Sequence, residues 1–330
     1  MILNGHVKKE KMDKHFYNKL NMPMIAAPLF LISGPKLVIE CCKKGIVGTF
    51  PALNQRTSEG FEEWVVEIKE ELSKFENETG IKPAPFGVNL IVHPSNIRVK
   101  ADLDICVKHK VPLIITSLGA VPDIVNAIHS YGGLVYHDII KKRHAEKAAE
   151  ANVDGLVLVT AGAGGHAGAL SPFALVQEIR EWFDGPLLLS GSIANGNAIL
   201  ASVAAGADLA YIGTPFIATS EANAVEAYKK AIVDGSSDDI ILSNLFTGVN
   251  GNYLKPSIVS AGLDPSDLPE SDPSQMNFSS SGDSTSKAWK DIWGSGQGIS
   301  VIKSVVSTKN LVDRLGDEYR SARLRINLTG

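Results

Sequence analysis

GLVLVTAGAGGHAGALSPFALVQEIREWFDGPLLLSGSIANGNAILASVAAGADLAYIGTPFIAT, residues 155–219, decides the fold. The apolar run GLVLVT (155–160) gives way to a glycine-rich loop, and an amphipathic segment opens at Ser171-Pro172. The cycle then repeats from PLLLS (186–190) and from LAYIG (209–213). Runs that are apolar throughout, rather than in alternation, belong to strands buried on both faces, which parallel strands covered by helices provide. The helical period predicts helices over 172–182, 196–205 and 221–232.

The same unit recurs toward the N-terminus. Strand-like runs occupy 23–29 (PMIAAPL), 46–52 (IVGTFPA), 86–91 (FGVNLI), 113–118 (LIITSL) and 134–138 (LVYHD). Ser33-Gly34-Pro35 is a helix-opening signal with proline just inside, and Thr57 or Ser58 can cap the charged helix that follows. Further helices are predicted over 122–130 and 141–151. Eight strand–helix units predict one (β/α)8 TIM barrel over residues 1–234, since closure leaves no sheet edge. A doubly wound open sheet is the alternative that periodicity does not distinguish.

Past Asp234 the composition changes. Residues 235–298 are rich in Gly, Ser and Asp and carry Pro256, Pro265, Pro269 and Pro273, which break any long helix. Leu245, Phe246, Tyr253, Trp289 and Trp293 nevertheless supply apolar anchors that a disordered segment lacks. An ordered C-terminal segment over the barrel mouth is therefore expected. A last unit, 299–330, is expected to return to the barrel wall through a helix over about 299–323.

The 330 residues are 44% hydrophobic and 21% charged, which excludes a disordered or collagenous chain. A net charge of −4 without blocks of one sign gives no reason to expect nucleic acid or a membrane surface as partner. The basic run Lys8-Lys9-Glu10-Lys11 fits a solvated arm. Cys41, Cys42 and Cys106 lack metal-site spacing and suit buried positions in a reducing compartment. No apolar run is long enough to span a bilayer, and the N-terminus lacks a signal-peptide core, so a cytoplasmic location is expected.

Barrels of this kind place their active sites on the loops after the strands. Those positions carry Ala27-Pro28, Pro51-Ala52, Asn89, the 116–119 stretch, His137-Asp138, the AGAGGH loop (161–166), Ser190-Gly191-Ser192 and Gly213-Thr214. Glycine-rich loops let backbone N–H groups approach an anion, and the loops after the seventh and eighth strands are the usual phosphate site. Helix N-termini after Ser192 and Thr219 are expected to add positive dipole ends. A phosphate-bearing small-molecule ligand follows. Residues 162–167 also fit a loose GxGxxA dinucleotide pattern, but the next helix starts several residues too late for it.

His166, among glycines and alanines, has no apolar periodicity to bury it and suits acid–base work or an anionic ligand. Either His137 or Asp138 points into the mouth, because strand neighbours face opposite ways. His137 is taken as a substrate-binding candidate. His93 follows the third strand and can reach the mouth. His6, His15, His109, His129 and His144 lie on the arm or on helices. His137 and His144 lack a partner with metal-ligand spacing, so no metal site is expected.

Taken together, PMIAAPLFLISGP (23–35), GTFPALNQRT (48–57), FGVNLIVH (86–93), ITSLGA (115–120), AGAGGHAG (161–168), LLLSGSIANG (187–196), GADLAYIGTPFIAT (206–219) and WGSGQG (293–298) resemble the nitronate monooxygenase family, formerly 2-nitropropane dioxygenases. The GGHxG element is shared with FMN-dependent enoyl-ACP reductases. The resemblance implies an FMN flavoprotein with His166 as active-site histidine. It further implies that Ala26, Ala27 and Pro28 lie against the isoalloxazine, that Asn89 contacts it, and that Gly164 and Gly165 lie near it. The strand-end loops Ser190-Gly191-Ser192 and Gly213-Thr214 would hold the FMN phosphate, and Gln297 would close the site. Val159-Thr160 stands where many members carry Gln-Gly, a departure at that cofactor contact.

The implied reaction is oxidation of an alkyl nitronate, such as propionate 3-nitronate, by dioxygen to a carbonyl compound and nitrite through a flavin semiquinone. The alternatives are an FMN-dependent NAD(P)H reductase of enoyl thioesters or quinones, and a non-catalytic flavin-binding barrel. A homo-oligomer is compatible with either enzyme.

Overall fold

The computed structural model describes residues 20–271 and 291–327; the Lys8–Lys11 arm, His6, His15, Pro273 and Trp289 lie outside the described residues. Eight parallel strands close in order into a barrel: β1 (Met24–Ala26), β2 (Val47–Pro51), β3 (Phe86–Ile91), β4 (Leu113–Ser117), β5 (Leu134–Ile139), β6 (Gly155–Val159), β8 (Leu187–Ser190) and β9 (Leu209–Ile212). Ile25 opposite Tyr211 and Ala26 opposite Ile212 seal the ring, which settles the choice against an open sheet. The fold is a TIM barrel.

Alternation along each strand divides the apolar residues into two cores. Ile25, Val47, Leu113, Ile115, Tyr136, Val157, Leu188, Leu209 and Tyr211 fill the lumen. Phe50, Val88, Ile114, Val135, Leu156 and Leu187 face outward and pack against the helices. Truncating a lumen residue such as Ile115 to Ala costs about 2–5 kcal/mol, because the closed ring cannot collapse around the hole.

The outer layer holds α1 (Pro35–Lys43), α2 (Ser58–Thr79), α3 (Val99–His109), α4 (Pro122–His129), α5 (Lys142–Glu150), α6 (Pro172–Arg180) and α7 (Gly196–Ala204). Thr57 caps α2 by accepting from Gly60 N at 3.1 Å, and Gly80, at φ 69°, ends it. After β9 come the short turn α8 (Thr214–Ile217), then α9 (Glu226–Asp234), α10 (Lys255–Ser260) and α11 (Thr308–Asn327). All three cysteines are buried and free. No helix among the described residues is long and apolar enough to cross a membrane.

Two helices begin later than their sequence period suggests. The helix expected from 221 starts at Glu226, because residues 219–223 are engaged elsewhere. Thr219 bridges to Val306, Ser220 N bonds Val306 O at 3.0 Å, and Asn223 N bonds Ile32 O at 3.0 Å. The helix expected from 299 starts at Thr308, since 297–301 form a 3₁₀ turn and Val306 is tied to that bridge. Ser307 Oγ accepts from Asn310 N, and the Glu221 carboxylate accepts from both N and Oγ1 of Thr308, each at 2.8 Å. The helix then packs between α7 and α1, burying Leu311, Val312 and Leu315, and so fills the eighth outer position.

The segment after α9 forms a hairpin of β10 (Ile240–Ser243) and β11 (Gly251–Leu254). Its inner strand pairs with β7 (Gly165–His166), a two-residue strand within the glycine loop.

Candidate functional site

His166 is fixed from outside the barrel. β7 pairs antiparallel with β11, placing His166 opposite Gly251 and Gly165 opposite Asn252. Asn252 Nδ2 donates to Ala163 O at 2.7 Å, and Ala167 N donates to Asn250 O at 3.0 Å. His166 Nε2 lies 2.9 Å from Thr247 Oγ1. The Thr247 hydroxyl donates to Val249 O at 3.1 Å, so its oxygen is left to accept. This direction assigns the proton to Nε2 and the lone pair to Nδ1. Burial lowers the His166 pKa to about 4, so the ring is neutral near pH 7. Thr247, 81 positions from His166, carried no signal in the sequence.

The loops after β6, β8 and β9 fit against one another and against residues 294–298. Gly162 O accepts from Ser192 N at 3.1 Å and from Gln297 N at 3.0 Å. A Cβ on Gly162 would meet Ser192 Oγ at 2.1 Å and Gln297 Oε1 at 3.0 Å. Gln297 thus lies against the loop that presents His166. Gly191, at φ 138°, leaves only 2.3 Å between a built Cβ and Thr160 Oγ1. Ser192 holds φ 57°, a left-handed conformation costly for a residue with a Cβ, and its side chain is exposed. Thr160 Oγ1 donates to Ser190 O at 2.6 Å, tying the β6 and β8 ends together.

Thr214 Oγ1 accepts from Gly296 N at 2.9 Å, which leaves its own hydrogen to donate. A Cβ on Gly213 would meet only the end of the Leu29 side chain at 3.1 Å and Ala27 Cβ at 3.8 Å. The absent side chain of Gly164 has a different reason. Its Cβ would lie 2.7 Å from Gly296 N, so this glycine admits the returning chain.

The two helix N-termini expected to help here do not. At α7, Asn195 Oδ1 accepts from Ala198 N and Glu318 Oε2 accepts from Gly196 N, both at 2.9 Å. The chain's own carboxylate has taken the anion's place. Past Thr219, α9 begins only at Glu226.

On the other side of the mouth, register decides which of two neighbours faces inward. Tyr136 lies in the lumen core, so Asp138 shares its face and His137 points outward. His137 is buried on the helix side, with Nδ1 2.8 Å from Thr116 Oγ1, and desolvation lowers its pKa to about 4. The register therefore turns His137, the substrate-binding candidate, away from the barrel mouth. Similarly, Ala26 packs in the outer core, leaving Ala27 as the inward residue of that strand end.

Asn89, Ser117 and Asp138 end adjacent strands on the inner face and form a chain. Asn89 Nδ2 donates to Ile115 O at 3.0 Å and to Ser117 Oγ at 2.8 Å. Ser117 Oγ donates to Asp138 Oδ2 at 2.5 Å. Burial raises the Asp138 carboxyl to about 6 despite that bond. The remaining histidines are engaged elsewhere. His93 Nδ1 lies 2.8 Å from Ser95 Oγ within a turn, His109 pairs with Glu62, and His129 pairs with Asp154. Among the described residues, no cluster of three or more His, Cys, Asp or Glu side chains could hold a metal.

Comparison with known proteins agrees with this architecture. Residues 50–318 match the sequence model named nitronate monooxygenase. Rv1533 of Mycobacterium tuberculosis, which carries a monooxygenase name, is 33% identical over 54% of this chain and 47% of its own length. The match therefore spans about half of that relative. A Neurospora crassa protein named nitronate monooxygenase is 25% identical over 74% of this chain and 73% of its own. Among solved structures, a nitroalkane oxidase from Streptomyces ansochromogenes superposes with a TM-score of 0.78 at 22% identity, covering 94% of this chain and 99% of the other.

Proposed function

Because the chain belongs to the nitronate monooxygenase family, we propose that it binds FMN at the barrel mouth and oxidises alkyl nitronates with dioxygen to a carbonyl compound and nitrite. The observation that carries this reading is His166, neutral and clamped by Thr247 and the β11 pairing, in the glycine loop after β6.

The residues suit FMN. The space beside Gly213, the spare hydroxyl hydrogen of Thr214 and the exposed hydroxyl of Ser192 can receive a phosphate with loop amides, without any helix dipole. Ala27, Pro28 and Asn89 would border the flat ring system. Bound there, FMN supplies the electron transfer between nitronate and dioxygen.

His166 selects and orients the substrate. With Nε2–H bonded to Thr247, Nδ1 is the nitrogen that accepts a proton. An anionic nitronate beside the ring favours that protonation and then takes a charge-assisted hydrogen bond. If a neutral nitroalkane enters instead, the same nitrogen serves as the base. The hairpin that carries Thr247 also shields the ring from water, which strengthens either interaction.

Anaerobic mixing of FMN-loaded protein with propionate 3-nitronate, followed in the visible spectrum, tests this reading. One-electron reduction of the flavin by the nitronate, reversed by oxygen, is expected. A flavin that ignores nitronate and bleaches fully with NADH would make the chain a reductase. A folded protein that takes up no FMN would remove the reading altogether.

A further inference from the structure

β7 has only two residues, and its two ladder pairs with β11 are a weak hold on a side chain that must keep one orientation. Tyr253 lies where the pieces around His166 meet, and three contacts place it there. The first is across the ladder. Gly251 stands opposite His166, so a side chain at 251 would share the His166 face, as does Tyr253 two positions on. Gly251 has no side chain, and the phenol takes its place. A Cβ built on Gly251 would meet Tyr253 Oη at 2.7 Å, and Cε2 and Cζ of the same ring at 2.9 Å.

The second contact is with Phe246, whose ring stands edge-on to the phenol at 73°, with centroids 5.0 Å apart. Phe246 immediately precedes Thr247, the residue bonded to His166 Nε2. The third is through the backbone. Tyr253 bridges to Gly294, and a Cβ on Gly294 would lie 3.1 Å from N of Gly165, the residue before His166. The ring itself is 1% exposed and packs with Ile258 and Ile292, so it cannot swing aside without opening that cluster. Burial pushes the phenol up to about 12, so it brings no charge to the His166 face near neutral pH. Glycine inside a strand ordinarily weakens packing, and at 251 it admits an aromatic ring instead.

We propose that Tyr253 is a positioning residue for His166, whose ring, seated in the place of the missing Gly251 side chain, holds β7 and the Thr247 turn together so that the imidazole stays bonded through Nε2 and offers Nδ1. The proposal rests on the assignment of His166 to the nitronate reaction. It concerns shape, because carbon atoms of the ring fill the place across from His166 along with the hydroxyl.

The test compares wild type with Tyr253→Phe, Tyr253→Leu, Gly251→Ala and the double variant Gly251→Ala/Tyr253→Leu. The first readout needs neither flavin nor substrate. It is the nitrogen–proton correlation spectrum of flavin-free protein carrying isotope-labelled histidine, with the His166 signal assigned by its absence from His166→Ala. In wild type and Tyr253→Phe the ring should keep its Nε2–H form and resist protonation until pH falls toward about 4. In Tyr253→Leu and Gly251→Ala water reaches the ring, which should titrate closer to the ordinary 6.5 and lose its single tautomer. The second readout is nitronate oxidation by FMN-loaded protein. In Tyr253→Leu kcat/KM should fall about tenfold to hundredfold with the acid limb of its pH profile displaced, and in Tyr253→Phe it should stay within about threefold of wild type. The double variant should be no worse than Tyr253→Leu, because the place that Gly251 keeps open is then already empty.

An unchanged His166 spectrum in Tyr253→Leu would overturn the proposal. Additive losses in the double variant would also overturn it, since the two positions would then act independently. A defect in Tyr253→Phe as large as in Tyr253→Leu would replace the ring's shape with its hydroxyl. Should folded, FMN-loaded wild type leave nitronate untouched, the nitronate reading fails, and the spectra alone decide whether Tyr253 holds His166. Circular-dichroism melts check folding. Should Tyr253→Leu fail to fold, Gly251→Ala carries the comparison with Tyr253→Phe.

Discussion

Around the loops after β6, β8 and β9, backbone meets backbone. Gly162 O takes two N–H groups, Gly164 admits Gly296, and Gly191 admits Thr160. Across the mouth, on β3, β4 and β5, side chain meets side chain, from Asn89 to Ser117 to Asp138. The first region is a rigid cradle whose polar groups are mostly satisfied before any ligand arrives. The second is a short relay whose last oxygen finds no hydrogen-bond partner among the described residues.

Substitutions on the two sides should therefore fail differently, and the largest failure belongs to the cradle. Gly213→Asp meets only the flexible Leu29 end and, more loosely, Ala27 Cβ, so the protein should fold, but its carboxylate would occupy the proposed phosphate position. Essentially all FMN binding should be lost, and the purified protein should be colourless. A yellow variant would place the phosphate elsewhere. His166→Ala comes next. FMN should remain bound while kcat/KM for nitronate falls about 10²–10⁴-fold, the range for a lost acid–base group. An unchanged kcat/KM would take His166 out of the reaction.

Stability against pH should separate the buried histidines from the buried acid by sign. His137 and His166 have folded values of about 4, below the ordinary 6.5, so the native state binds fewer protons than the unfolded chain between those values. Their contribution is whole above 6.5 and is lost as pH falls toward about 4. Asp138 runs the other way. Its contribution is whole below 3.8 and is lost as pH rises through about 6. In flavin-free protein, Asp138→Asn should raise stability at neutral pH by roughly 1–3 kcal/mol, and His137→Gln should flatten the acid-side loss. Urea melts at a series of pH values would show both, and parallel slopes in all variants would erase the contrast. The smallest effect should come from Thr247→Val, with a roughly tenfold loss of kcat/KM, a shifted acid limb in its pH profile and rescue by Thr247→Ser. Equal loss in the serine variant would mean that packing, not the hydroxyl, positions His166.

The packing of these loops was largely legible in the sequence because close approach requires glycine, and Gly162 and Gly191 announce it. The eight strands were legible for a similar reason, since burial on both faces leaves uninterrupted apolar runs. The relay was not. Whether His137 or Asp138 enters the lumen turns on the register of β5, and a slip of one residue exchanges them. Only the position of Tyr136 in the lumen decides it. Thr247 was hidden because the hairpin that delivers it joins the site from 81 residues away. The displaced starts of α9 and α11 show tertiary contacts overriding helical period, with Glu221 and Val306 engaged in holding the two ends of the segment together. Gly164 shows a second reason for a glycine, since it admits the returning chain at Gly296.

The helix α11 gives this barrel a calendar. It fills the last position of the outer ring, between α7 and α1, and its Glu318 caps α7 while Glu221 caps its own first turn. During synthesis, all eight strands and seven of the wall helices emerge before it does. For the interval spent translating residues 235–307, the nascent chain carries an open seam where Leu311, Val312 and Leu315 will later lie. Such transiently exposed apolar surface is what chaperones bind and what aggregates. The hairpin that clamps His166 is made within that same interval, so the site is assembled while the wall behind it is still open.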